Sequence, residues 1–233
     1  MTNKYSKFNI KSFITNSSTK VQDDFEEDFG EVQQEMGYFV NVNRFHEFSV
    51  PIDSDFGAPS QYRAIVQMLM NATENDTVDF LFNSRGGRMD GLQTILEAVK
   101  HTKADTTAII MGECASAASI LALHCNNVHV TDSASMLCHH LSLHVGGKHN
   151  DVVAHLEHIT RTSLNLMRSA YEGFLTEEEL TEMIKGREIY LDSDEIIQHL
   201  EARQKYWEGK QKALEQAQSP QPVTTKGKAA KPK

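Results

Sequence analysis

Apolar and polar residues alternate in short segments that read as strands. Thr77-Val78-Asp79-Phe80-Leu81-Phe82 runs with a period of two, and Arg44 to Val50, closed by Pro51 and the Asp53-Ser54-Asp55 turn, does the same. Tyr38-Phe39-Val40, Thr107 to Ile110, Val128 to Val130 and Ser135 to His140 complete the predicted strands. Between them the period changes to that of a helix. Pro59 and Ser60 open a segment with Tyr62, Ile65, Val66 and Leu69 on one face, and Leu92, Ile95, Leu96 and Val99 share a face in the next. Ile120 to Leu123 reads as a short buried helix. A long helix is predicted from Asp151 to about Phe174, with Val152, Leu156, Ile159, Ser163, Leu166, Met167, Ala170 and Phe174 along a seam. Thr176 to Glu179 has the form of a capping box ahead of Leu180 and Ile184, and Gly186 ends that helix. Asp192 or Ser193 caps a last helix carrying Ile196, Ile197, Leu200 and Tyr206. Strand, turn, helix, repeated, predicts an α/β fold of right-handed β-α units around a parallel sheet.

The ends differ from this pattern. Residues 1–36 are polar with scattered single aromatics, and Asp23 to Glu35 is densely acidic, which predicts a flexible acidic arm. Residues 37–217 form the expected domain. Residues 218–233 read as a disordered basic tail, opening on Ser219-Pro220-Gln221-Pro222 and carrying Lys226, Lys228, Lys231 and Lys233. A formal charge of -9 on 233 residues argues against nucleic acid as a partner. No apolar run reaches the roughly 18 to 20 residues of a membrane span. Three cysteines without a C-x-x-C pair, and no apolar segment behind the first lysines, point to a reducing, cytoplasmic setting.

Chemistry concentrates where the two glycine-bearing turns follow neighbouring strands. Gly112-Glu113-Cys114-Ala115-Ser116-Ala117 places a serine among small residues at a strand-to-helix turn, where a hydroxyl is exposed and a helix N-terminus favours negative charge. Gly87 ends the other turn, so its N–H and that of Ala117 can face one oxyanion. His139 and His140 end a strand downstream, and alternation lets only one of them face Ser116. Glu188 follows the Gly186 turn as a candidate acid. His155 and His158, at i and i+3, lack a helical carboxylate partner and are not read as metal ligands. Cys114 and Cys138 read as small buried apolar residues.

In joint order these segments resemble the Clp protease proteolytic subunit family. Phe82-Asn83-Ser84-Arg85-Gly86-Gly87 is similar to its Asn-Ser-Pro-Gly-Gly loop. Gly112 to Ser116 is similar to its Gly-x-Ala-Ala-Ser turn, and Ala134 to His139 to its Met-Ile-His strand. Glu188-Ile189-Tyr190-Leu191 resembles the segment bearing the third triad member, in particular in phage-type relatives, and the helix from Asp151 takes the place of the handle helix. The resemblance covers roughly residues 44–200. It implies a crotonase/Clp-type repeated β-α spiral with a protruding handle helix. It also implies a cofactor-independent serine endopeptidase that cleaves extended or unfolded polypeptides through an acyl-enzyme. By position Ser116 is the nucleophile, His139 the base and Glu188 its orienting acid. Gly87 and Ala117 supply the oxyanion amides, and Gly146 and Gly147 lie near the substrate-pairing strand. A homo-oligomeric ring and a possible ATPase unfoldase are the implied partners. Arg85 stands where the family has proline, Glu188 where it has Asp, and a charged helix replaces its Gly-Leu-(Ile/Val)-Asp ending. An acyl-CoA hydratase or isomerase on the same spiral would need a carboxylate base, and a lysine-base peptidase a lysine that no matching strand carries. A catalytically silent scaffold subunit would keep the fold alone.

Overall fold

The computed structural model describes residues 7–9, 45–142 and 146–218. Its centre is a sheet in which β2 (Glu47–Ile52), β3 (Thr77–Ser84), β4 (Asp105–Ala115) and β5 (Asn127–Val130) run parallel, in the order β5-β4-β3-β2. Their inward residues follow from the alternation: Val78, Phe80 and Phe82 of β3, and Ala108 and Ile110 of β4, are fully buried. Helices α1 (Arg63–Asn71), α2 (Met89–His101) and α3 (Ala117–Ala122) connect successive strands. Leu69 of α1, Leu92, Ile95 and Leu96 of α2, and all six residues of α3 are buried in the same core. This is the repeated β-α arrangement that the pattern predicts.

β4 is the pivot of the architecture. Thr107 to Ile110 pair with β5, whereas Glu113 to Ala115 pair with β6 (Ser135–Cys138), again in parallel. A register irregularity opposite Phe82 and Ser84 of β3 accompanies the change of neighbour. Gly112 makes room there, since a Cβ would come 2.6 Å from Asn83 Oδ1, the atom that accepts the Glu113 N–H at 3.2 Å. β7 (Ile189–Asp192) closes this second part of the sheet antiparallel to β6, with Cys138 opposite Ile189.

Three features depart from expectation. Strand β2 runs on through Pro51 to Ile52: among the described residues it is the edge strand, where a missing N–H costs no ladder bond. Within the N-terminal stretch, Lys7–Asn9 form a strand, β1, antiparallel to β5, whose edge would otherwise be open. Residues 1–6 and 10–44, including Tyr38 to Val40, and the basic tail from Ser219 onward lie outside the described residues, Gln218 instead ending the last helix. The long helix α4 runs from His149 to Tyr171, and only its second half packs on the body: its buried residues are Ser163, Met167, Ala170 and Tyr171. Leu156 of the predicted seam is 43% exposed and Val153 beside it 42%, so the seam is split between the protein's own core and its surface.

Helix α5 (Glu177–Ile184) starts with the expected capping box, Thr176 Oγ1 accepting from the Glu179 N–H and Glu179 accepting from the Thr176 N–H. Helix α6 (Ser193–Gln218) follows β7 directly, Asp192 and Glu195 exchanging the same pair of bonds. No helix among the described residues is long and apolar enough to cross a membrane.

Candidate active site

Strand β4 ends in a turn whose backbone is strained. Ser116 has φ 56° and ψ −120°, and among the described residues it is the one non-glycine with positive φ. Such a conformation costs about 1–3 kcal/mol and is held by its surroundings. Here the Ser116 N–H donates to Leu137 O of β6 at 2.8 Å, and the Ser116 carbonyl accepts from Ser119 Oγ at 2.7 Å and the Ile120 N–H at 3.3 Å. Ala115, Ala117 and Ala118 on either side are buried, while Ser116 itself is partly exposed. Small neighbours let the turn sink into the core and leave one hydroxyl at its surface.

The loop after β3 lies directly on this turn. Ser84 Oγ, buried, donates to Ser54 O at 2.7 Å and accepts the Gly86 N–H at 3.2 Å. Phe56 donates its N–H to Gly86 O and accepts the Arg88 N–H, so the bonds of this bridge flank Gly87 and turn its own N–H away from Phe56. Gly86 has φ +101°, and a Cβ there would come 2.6 Å from Ala115 O, 2.7 Å from Ser116 Cβ and 2.9 Å from Ala117 N. Only glycine brings the two loops this close. The N–H groups of Gly87 and of Ala117, the first residue of α3, find no acceptor among the described residues. Arg85, in the same loop, is exposed and leaves the contact intact.

Downstream residues complete the neighbourhood unequally. His139, just past β6, lines one narrow cleft with Ser116; Met89, Ile120 and Leu141 form its apolar walls, and Ser163 and Met167 of α4 close it. No hydrogen bond joins His139 to Ser116. His140 is absent from that lining and points its Nδ1 at Leu141 O, 3.2 Å away. Glu188 is exposed; the β6–β7 register, continued by one residue, sets it opposite His139, yet its carboxylate accepts from the Tyr190 hydroxyl and not from the histidine. Gly146 and Gly147 are exposed just ahead of α4, and residues 143–145 before them lie outside the described residues.

The three cysteines do not compete as nucleophiles. All are buried, and burial pushes the Cys125 and Cys138 thiols up to about 12 and Cys114 well above its ordinary range. No group of three or more His, Cys, Asp or Glu side chains converges in the manner of a metal site among the described residues.

Two residues that sequence reasoning missed touch this turn: Ser119 and Tyr171, whose hydroxyls lie 2.7 Å apart in the core beneath it. A signal existed for Tyr171. It continues the Ser163, Met167 stripe of α4 at four-residue spacing, and a tyrosine in a core stripe needs a partner for its hydroxyl.

A search of curated proteins returned no match. The family model described as Clp protease matches residues 38–204, from ahead of β2 into α6, and so spans both glycine turns, His139 and Glu188. The chain belongs to the Clp protease family, whose fold is a crotonase-like α/β spiral.

Proposed function

We propose that this protein is a serine endopeptidase in which Ser116 attacks the peptide carbonyl. One observation carries the reading: a strained, partly exposed serine sits under a glycine loop, with two unbonded amides beside it and a histidine in the same cleft. His139 takes the Ser116 proton as Oγ bonds to the carbonyl carbon. The oxyanion forms against the N–H groups of Gly87 and Ala117, where fixed dipoles stabilise it without reorganisation. When the C–N bond breaks, His139 returns the proton to the departing amine, leaving an ester on Ser116. Water, giving its proton to His139, then attacks that ester; the acyl C–Oγ bond breaks and His139 returns the proton to Ser116 Oγ as the acid leaves. Glu188 orients the imidazole and stabilises its charged form, and Gly146 and Gly147 flank the path of an extended substrate strand.

Proteins of the Clp protease family act on polypeptides in oligomeric assemblies. The exposed first half of α4, with Val153 and Leu156, suits packing against a second copy, and we assign it that role in a homo-oligomeric ring. An ATPase unfoldase would supply folded substrates to such a ring. The rival reading, a silent scaffold subunit, draws on the missing Ser116–His139 bond; such bonds are often loose in a free enzyme and tighten with substrate. A fluorophosphonate probe decides between them. Labelling of the wild type that is lost in Ser116→Ala, together with new termini in an unstructured polypeptide incubated with the protein, is the expected result. A folded, assembled wild type that neither labels nor cleaves would end the peptidase reading.

A further inference from the structure

Beneath the Ser116 turn lies a polar contact that the reaction above does not use. Tyr171, the last residue of α4, is fully buried, and its hydroxyl lies 2.7 Å from Ser119 Oγ, which is fully buried as well. Ser119 Oγ is in turn 2.7 Å from Ser116 O and 3.5 Å from Leu137 O. The directions of donation follow from valence. A carbonyl can only accept, and a serine hydroxyl has one proton to give. Ser119 therefore donates to Ser116 O, the nearer acceptor, and Tyr171 donates to Ser119. The Cys138 thiol adjoins the tyrosine hydroxyl, and burial holds both of these groups protonated. The chain of bonds runs one way, from α4 through Ser119 to the main chain of Ser116.

The carbonyl at its end belongs to the strained residue. Its other bond, from the Ile120 N–H, is 3.3 Å long, beyond the usual 2.7–3.2 Å for such a pair, so the Ser119 hydroxyl makes the shorter contact. The competing acceptor, Leu137 O, already receives the Ser116 N–H and lies two residues before His139. Ser119 thus stands between the main chains of the proposed nucleophile and the proposed base.

We infer that Tyr171 is a positioning residue for the nucleophile: its hydroxyl, by donating to Ser119, commits the single Ser119 proton to the Ser116 carbonyl. The inference rests on Ser116 being that nucleophile. Without the hydroxyl, Ser119 is free to turn toward Leu137 O, and the Ser116 turn loses the shorter of the two bonds to its carbonyl. Tyr171 touches no substrate, so its removal alters turnover and leaves binding alone.

Tyr171→Phe keeps the ring and deletes only the hydroxyl. The acylation rate with a fluorophosphonate and kcat on a peptide should each fall about ten-fold, with KM unchanged, as a displacement of some tenths of an ångström at a nucleophile produces. Ser119→Ala should fall by a similar factor, and the double variant no further, because both changes remove one contact. Val50→Ala, in the edge strand β2, supplies a destabilised protein for comparison. If Tyr171 serves folding alone, Tyr171→Phe will acylate at the rate of Val50→Ala well below its unfolding temperature, and the inference is overturned. Independent, multiplying losses in the double variant overturn it too. Ser116→Ala run alongside separates the two levels. Loss of labelling there with wild-type labelling of Tyr171→Phe rejects the positioning role alone, whereas persistent labelling of Ser116→Ala rejects the nucleophile and the inference with it.

Discussion

Gly86→Ala tests the contact between the two loops at the least volume a substitution can add. Two costs follow from the structure and are separable. The first is conformational. At φ +101° an alanine is strained by about 1–3 kcal/mol whatever surrounds it. The second is steric. The new Cβ would meet Ala115 O at 2.6 Å, where ordinary contact begins at 3.4 Å, and the other atoms it meets, Ser116 Cβ and Ala117 N, are likewise fixed by the backbone rather than at the end of a side chain that can swing away. Something must yield by about 0.8 Å, and the choices are the Gly87 amide or the Ser116 Oγ. A misplacement of about 1 Å costs on the order of 100-fold in rate, so a loss of several tens of fold is expected, equivalent to about 2–3 kcal/mol in the barrier. Gly186→Ala isolates the first cost, because Gly186 has φ +106° and its Cβ would meet nothing within 4 Å. Urea unfolding should therefore show the conformational cost alone in Gly186→Ala and a larger loss in Gly86→Ala, while reaction with a fluorophosphonate should collapse in Gly86→Ala alone. Wild-type acylation in Gly86→Ala, or an equal loss in Gly186→Ala, would refute the argument that the glycine loop builds the site.

Exchanging the histidines checks the register: His139→Ala should abolish labelling of Ser116 and His140→Ala should spare it, and the opposite result moves the base. Glu188→Gln should lower kcat strongly with little change in unfolding midpoint, because the amide keeps the shape and loses the charge; full activity would pass the orienting role to another acid. Leu156→Glu, on the exposed half of α4, should leave a folded protein that sediments as smaller species, whereas Leu166, partly buried against the subunit's own core, is the wrong place for that charge. Unchanged sedimentation would place the subunit contact elsewhere. Asp76 sets a pH dependence of stability. Its carboxylate accepts from the Thr73 N–H at 2.6 Å, the Thr73 hydroxyl at 2.8 Å and the His46 N–H at 2.7 Å. Those bonds, the Thr73 amide first, bring it from 3.8 to about 2 against the opposing pull of burial. A folded value below the unfolded one stabilises above pH 4 and fades as the pH falls from about 4 toward 2. Asp76→Asn should then cost about 1–2 kcal/mol at pH 7 by urea unfolding, with a gap to the wild type that narrows below pH 4.

Elements with a full period of apolar residues were legible in the chain, and those that exist to satisfy a neighbour were not. Val78, Phe80 and Phe82 specify β3, and Leu92, Ile95, Leu96 and Val99 specify α2, because burial on one face leaves a repeat long enough to read. β7 is four residues with Tyr190 and Asp192 outward, and it becomes a strand because β6 offers an open edge. Pro51 reads as a stop, yet its position on an edge strand removes the penalty that would make it one. The site divides in the same manner. Ser116 and Gly87 stand out locally, since the proposed nucleophile turn and the loop pressed against it need small residues in sequence. The Ser119–Tyr171 bond joins residues 52 apart and leaves no local trace beyond a tyrosine in a core stripe.

The two halves of the proposed site differ in solvent, and this bears on how Glu188 would stabilise the His139 imidazolium. Ser116, Ala117, Gly86 and Ser119 lie in or against the core, and Ser116, Gly86 and Ser119 are held there by hydrogen bonds. Their geometry is set by folding alone. Glu188 and Tyr190 lie on a short edge strand with Tyr190 67% exposed, and the carboxylate is bonded to the phenol rather than to His139. A carboxylate in water attracts an imidazolium several-fold more weakly than one at a partly dry surface, because solvent screens the pair. Tyr190 need not be an obstacle. It occupies one oxygen of Glu188, and a carboxylate offers a second to His139. Among the described residues, nothing covers the Tyr190 face of that edge. A surface laid across β7 would bury Tyr190, strengthen the Glu188 charge toward His139 and leave the Ser116 half untouched. Labelling by a small phosphonate, which passes through the imidazolium once, should therefore respond to assembly less than peptide turnover, which passes through it twice per cycle.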